Sequence, residues 1–167
     1  ALDQEIISRK CARIIRKKQK PSKSRNQITK EIQAFIEEPL PLNIHRTDIK
    51  SFFKSIEKKH VISALEYFSI DQQTISITKS IIESYHAKGQ HGLPKGNPVS
   101  HPVSELCLAG LDESLSQHPE IFYYARFVDD IIMITSPEIG EREARIILRR
   151  TIPPGLKINK EKTSFVD

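Results

Sequence analysis

The spacing of apolar residues changes several times along the chain, and each change marks an element. Ile6-Ile7 and Ile14-Ile15 are short apolar runs within residues 5–17 and predict a basic hairpin, broken at Lys20-Pro21-Ser22-Lys23-Ser24. From about Ser24 to Glu38, Ile28, Ile32, Phe35 and Ile36 recur at helical spacing, with Ser24 placed to cap the helix and Pro39 and Pro41 to end it. Asn43 to Asp48 reads as a strand, followed by a turn through Ser51-Phe52-Phe53. Two helices are predicted next, at about 57–68 and 71–87, the second carrying Ile75, Ile77, Ile81 and Ile82. Residues 89–98 form a Gly/Pro-rich loop, and about 99–117 is a helix with Val103, Leu106, Leu108 and Leu111. Phe122–Val128 and Ile131–Thr135 predict a β-hairpin with Asp129-Asp130 at its tip. A helix at about 138–150 and short strands at 155–159 and 163–167 complete the pattern.

From residue 43 the order is β, α, α, α, β, β, α, β, a split βαβ of the α+β class. It predicts a ferredoxin-like antiparallel sheet with helices on one face and extra helices in the first crossover. Repeats and low-complexity tracts are absent. Composition agrees with a packed domain: 38% hydrophobic and 28% charged residues exclude a disordered tail, a collagen and a disulfide scaffold. No stretch approaches the roughly 18–20 apolar residues of a spanning helix, so no membrane partner is expected. The chain begins at Ala1, which is consistent with a piece of something longer.

Charge adds a second division. Residues 1–30 carry ten Lys or Arg against Asp3 and Glu5, a net of +8, and the remainder is −3, giving +5 overall. A basic N-terminal stretch beside a mildly acidic remainder suggests a polyanion surface next to a site that needs carboxylates. A solvated basic face accounts for the stretch equally well. Cys11 and Cys107 fit no metal or redox spacing and read as buried or half-buried thiols in a reducing compartment. The six histidines show no ligand spacing.

The sharpest local feature is Tyr123-Tyr124-Ala125-Arg126-Phe127-Val128-Asp129-Asp130-Ile131-Ile132-Met133-Ile134, two adjacent carboxylates in an otherwise apolar hairpin. Gathering negative charge there costs energy unless cations offset it. An Asp-rich turn alone would carry little weight. Asp48, at the end of the strand Leu42 to Thr47, supplies a further carboxylate on what should be a neighbouring strand. Carboxylates at two strand ends can hold two divalent cations about 3.5–4 Å apart, an arrangement that activates a 3′-hydroxyl and neutralises a triphosphate during in-line displacement. All-oxygen donors suit Mg²⁺, with Mn²⁺ as a substitute.

Four segments in order carry a family resemblance: Asp48…Phe52-Phe53; Gly92-Leu93-Pro94-Lys95-Gly96-Asn97-Pro98-Val99-Ser100; Phe127-Val128-Asp129-Asp130; and Leu156 to Thr163. They resemble motifs A, B, C and D of reverse transcriptases, and the likeness runs from Asn43 onward. It implies a right-hand polymerase palm at residues 43–167 with inserted fingers helices, and partial fingers at 1–42. The thumb that follows the palm in this family is expected to be absent, so the 167 residues are expected to polymerise poorly alone.

The resemblance also implies roles. Asp48 and Asp129 would be the main ligands of two Mg²⁺ ions, with Asp130 beside them and the Ile49 carbonyl assisting. Phe53 would exclude a 2′-hydroxyl. Phe127, Val128 and Pro94 would lie near primer and template, and Lys95 and Gly96 near the nucleotide. Lys162 would protonate or screen the leaving pyrophosphate. Arg13 and Lys17 would meet the triphosphate and Lys18 the template. Most of the family has glutamine in place of Lys95 and Ser-Pro in place of Ser100-His101, so the nucleotide contacts differ here. The wording of Gly92 to His101 with Ser104-Glu105-Leu106 is closer to bacterial retron, abortive-infection and other defence-associated members. That likeness implies a bacterial cytoplasmic setting and, besides an RNA template, a DNA or RNA primer and dNTPs, a structured non-coding RNA or an effector protein as partner. Two rival readings stay open: a template-independent or protein-primed polymerase of the same fold, and an inactive palm serving as a nucleic-acid-binding scaffold.

Overall fold

The computed structural model describes residues 2–37 and 39–166. Two compact units form, one from Ala1–Lys20, Ser51–Ala109 and Pro154–Leu156, the other from Pro21–Lys50, Gly110–Pro153 and Lys157–Asp167.

The second unit holds the sheet. Strands β1 (Asn43–Asp48), β2 (Ile121–Phe127), β3 (Asp130–Thr135) and β4 (Ser164–Val166) pair antiparallel in the order β2-β3-β1-β4, the ferredoxin-like order expected of a split βαβ. Side chains alternate across each strand, which divides β2 into two functional faces. Tyr123, Ala125 and Phe127 join Ile134, Ile132 and Ile44 in a core cluster with Ile28, Ile32 and Phe35 of helix α2 (Arg25–Glu37). Tyr124 and Arg126 point to the other face, where they bond Asp112 of helix α6 (Ser100–Ser116).

Helix α2 begins where its sequence says it should. Ser24 Oγ accepts from Gln27 N at 3.3 Å while Gln27 Oε1 accepts from Ser24 N at 2.8 Å, a reciprocal capping box that stabilises a helix start by about 1 kcal/mol. Ile36, placed on the apolar stripe by spacing, is instead exposed.

His45 is buried in β1, with Nε2 3.0 Å from Thr135 Oγ1 and its ring 5.0 Å from that of Phe165. Burial lowers its pKa below the ordinary value of 6.5. The unfolded chain therefore binds a proton there more readily than the folded one, so stability falls as pH drops below about 6.5. A melting-temperature profile from pH 7.5 to 5 should show this decline, and His45→Asn should flatten it. An unchanged slope in that variant would assign the decline to other groups.

The first unit contains helices α1 (Leu2–Arg16), α3 (Phe52–Ser55), α4 (Lys58–Tyr67) and α5 (Gln72–His86). Its cluster joins Cys11 and Ala12 of α1 to Val99, with Ile77 and Ile81 of α5 packed against them. Asp71 caps α5, accepting from Thr74 N and Thr74 Oγ1, each at 2.8 Å. Both thiols sit in protected places, and burial pushes Cys107 up to about 12. Among the described residues no helix is long and apolar enough to cross a membrane.

Four expectations change. Residues 5–17 are not a hairpin but most of helix α1. Its buried stripe is Ser8, Cys11, Ala12 and Ile15, at helical spacing, while Ile6 and Ile7 are exposed. Asp3 and Glu5 in the first turn and Arg13 and Arg16 in the last complement the helix dipole. The expected strand at 155–159 is an extended segment making a single bridge, Ile158 to Ile49, before a 3₁₀ turn at Lys160–Lys162. The hairpin tip is Val128-Asp129, because Phe127 and Asp130 pair with each other and Asp130 opens β3. The remaining helix, α7 (Glu141–Thr151), starts three residues later than predicted. Glu38 and Asp167, at the ends of two predicted elements, lie outside the described residues.

Candidate active site

Strand register builds the carboxylate site. Asp48 ends β1 and stands directly opposite Asp130, the first residue of β3, so the two acids share one face of the sheet. Asp129 occupies the turn just before, and its carbonyl accepts from Ile49 N at 3.1 Å. On the other side of β1, Asn159 N donates to Asp48 O at 2.8 Å and Lys50 N to Lys157 O at 2.8 Å. These bonds bring the Lys160–Lys162 turn to the end of β1. There Lys162 Nζ lies 2.8 Å from Asp48 Oδ2.

The three acids differ sharply in surroundings. Asp48 is buried; its Oδ2 has Lys162, but its Oδ1 is buried without a hydrogen-bond partner. Asp130 is half-buried and faces two guanidiniums, Arg25 at 3.6 Å and Arg46 at 4.0 Å. Burial raises the pKa of Asp129, and the charges of Asp130 and Asp48 push it further while Lys162 opposes them. Lys162 is shifted upward in turn, first by its hydrogen bond to Asp48 and then by that carboxylate's charge.

An orphaned buried carboxylate oxygen is costly, and so is a cluster of like charges. A divalent cation accepting oxygens from Asp48 and Asp129 would relieve both, and the all-oxygen donor set suits a hard ion. The residues fit such an ion. They do not form a finished cage: among the described residues no three His, Cys, Asp or Glu side chains are grouped to hold a metal. The reason is visible in the pairing, since Asp130 is turned to Arg25 and Arg46 while Lys162 holds one Asp48 oxygen.

The turn itself is unusual. Val128 has φ 59, the left-handed region, although it is β-branched. Such a conformation costs on the order of 1–3 kcal/mol unless the surroundings enforce it. Arg25 also sits over the Phe127 ring, 4.6 Å from its centroid, beside an open groove of about 300 Å³ lined by Ile28, Ile32 and Arg46 among others.

Other expected site residues lie in the first unit. Phe52 is buried, while Phe53 is half-buried with its ring 5.1 Å from that of Phe52. The Phe53 carbonyl accepts from Leu93 N at 2.7 Å, so the loop preceding α6 is seated on the backbone of the Phe53 segment. Gly92 makes this seat possible: its φ is +73, and a Cβ there would lie 2.2 Å from the Phe53 carbonyl oxygen. Pro94 is buried, and its carbonyl accepts from Ser100 Oγ at 2.6 Å and Asn97 N at 3.2 Å. Lys95 and Gly96 project at the exposed crest of that turn. Arg13 on α1 and Lys17 and Lys18 just past its end are exposed. Sequence reasoning missed Arg25, Arg46 and Asp112. Only the charge of each was legible, since their partners come from other elements.

An antiparallel split βαβ sheet with acids gathered at the ends of its central strands has the architecture of a polymerase palm. The chain belongs to the reverse transcriptase (RNA-dependent DNA polymerase) family, whose model matches residues 6–167. Among solved structures it is similar to apo telomerase from Candida tropicalis, with TM-score 0.66 and 13% identity over 99% of this chain and 36% of that one. Telomerase from the same organism in complex with a TWJ fragment of telomeric RNA gives TM-score 0.62 and 17% identity, over 86% and 29%. The Candida albicans telomerase in complex with a TWJ fragment of telomeric RNA gives 0.59 and 15%, over 98% and 33%. The chain thus spans about a third of the length of these structures, and the likeness is one of fold. A search of curated proteins found no match.

Proposed function

We propose that the protein is the catalytic palm and fingers of an RNA-templated DNA polymerase that joins dNTPs to a primer 3′-hydroxyl. The observation that carries this reading is the buried, half-satisfied carboxylate of Asp48 beside Asp129, in a chain of the reverse transcriptase family. Asp48 and Asp129 would hold divalent cations, which when bound supply activation of the primer hydroxyl and neutralisation of triphosphate charge. Asp130 holds Arg25 and Arg46 at the rim, where guanidiniums can meet phosphate. Lys162, tied to Asp48, carries a proton next to the reacting groups and is suited to protonate or screen the departing pyrophosphate. Phe53 would bear on the sugar, with Pro94, Lys95 and Gly96 on the nucleotide and template. Arg13, Lys17 and Lys18 offer exposed charge for phosphate. That solved telomerases of this fold were captured with a telomeric RNA fragment supports an RNA partner. The Gly92 to His101 wording supports a bacterial cytoplasmic, defence-associated role.

The test is incorporation of labelled deoxynucleotides by the full-length protein with Mg²⁺, with and without RNA template. Template-dependent extension that vanishes in Asp129→Ala supports the proposal. Incorporation without template replaces it with a template-independent enzyme. Nucleic-acid binding without incorporation, unchanged in Asp129→Ala, replaces it with a scaffold. Lys162→Leu should lower incorporation about 10²-fold, the low end for loss of a general acid. A wild-type rate in that variant would make the Lys162 contact structural.

A further inference from the structure

Behind the carboxylate turn lies a polar arrangement that no role above uses. Asp112 of α6 receives Arg126 through both forks of the guanidinium: Nε to Oδ1 at 2.8 Å and Nη2 to Oδ2 at 2.7 Å. Tyr124 donates its hydroxyl to the same Oδ1 at 2.6 Å. The Arg126 side chain is only 5% exposed and that of Asp112 35%, so this is a half-buried bidentate ion pair with the guanidinium on its protected side. Its remaining nitrogen, Nη1, reaches forward and donates to the Val128 carbonyl at 2.6 Å. That carbonyl belongs to the peptide joining the strained residue to Asp129.

We infer that Asp112 and Arg126 form a clamp that holds Val128 in the left-handed region and thereby aims Asp129 into the metal site; both are positioning residues. The inference rests on the polymerase reading of that site. A two-residue hairpin loop with positive φ at its first position but not its second follows the type II′ pattern, which favours glycine there. With valine in that place, the backbone gains by leaving the conformation, and the turn needs an external hold. Arg126 supplies it from a point that α6 fixes through Asp112. The strain at Val128 and the fork of Arg126 thus explain one another.

The test is Mn²⁺ titration of the 167-residue chain followed by electron paramagnetic resonance of the free ion, with circular dichroism reporting the folded fraction. Arg126→Lys keeps the charge but loses the fork, and should weaken Mn²⁺ binding about 10–100-fold, the scale for residues that orient metal ligands. Adding Val128→Gly should bring affinity back to within about threefold of wild type, because glycine adopts positive φ without a clamp. If Arg126→Lys does not fold, Asp112→Asn is held to the same two criteria. A folded variant with wild-type Mn²⁺ affinity, or one that Val128→Gly fails to rescue, overturns the clamp and leaves the pair a stabilising contact. Asp129→Ala separates the two levels. It should abolish binding, and undiminished binding there overturns the metal-site reading itself and the clamp with it.

Discussion

Replacing Asp129 with alanine should cut templated incorporation on the order of 10³-fold or more, the scale on which polymerising sites lose rate when a group offsetting transition-state charge is removed. Asp130→Asn should cost far less, because Asp130 is half-buried and already turned to Arg25 and Arg46. The same Asp129→Ala protein should be more stable than wild type in the absence of divalent ions. The raised pKa of Asp129 means that its charged form is disfavoured in the folded chain, chiefly by burial and then by Asp130 and Asp48. Removing that charge removes the penalty. Primer extension and metal-free thermal unfolding on the same preparation check both halves. Loss of activity together with loss of stability would make Asp129 a structural residue. Retained activity would remove it from the site.

The candidate carboxylates Asp48, Asp129 and Asp130 were legible through the order of four motifs rather than by residue type, since an Asp-Asp turn alone carries little weight. The hairpin strands were legible as two short apolar runs on either side of an acidic turn. Helix α1 does not show in the apolar pattern because three of the four residues of its buried stripe are small. Ser8, Cys11, Ala12 and Ile15 face inward while Ile6 and Ile7 face water, and hydrophobicity by residue type points the other way. Residues 155–159 have a strand's composition but only Ile158 finds a ladder partner. The Asp112–Arg126 pair could not be read, because the partners lie fourteen residues apart on two different elements. Nothing about valine suggests a left-handed turn; that conformation comes from tertiary contacts imposed on the residue. Local pattern therefore pointed to the candidate acids, whereas the contacts around them come from side chains meeting across elements.

The glycines separate local from imposed constraint most cleanly. Gly92→Ala should destabilise the protein by about 2–4 kcal/mol, combining a left-handed backbone unfavourable to alanine with steric overlap in a packed place. The overlap is with backbone that cannot swing away: the new Cβ would meet the Phe53 carbonyl oxygen at 2.2 Å and the Lys54 Cα at 2.6 Å. Relief requires separating the loop from the Phe53 segment, which breaks the Leu93 N to Phe53 O hydrogen bond. Gly96 has a similar φ, +82, but open space around it, so Gly96→Ala should cost only about 1 kcal/mol. Gly110 has neither constraint and lies within α6, so Gly110→Ala should stabilise by about 0.5–1 kcal/mol. Urea unfolding of the three variants gives the ranking directly. Equal losses at Gly92 and Gly96 would mean that backbone conformation alone sets the cost. A loss confined to Gly92 would place it in the contact with Phe53 and Lys54, and with it the seat that fixes Pro94, Lys95 and Gly96.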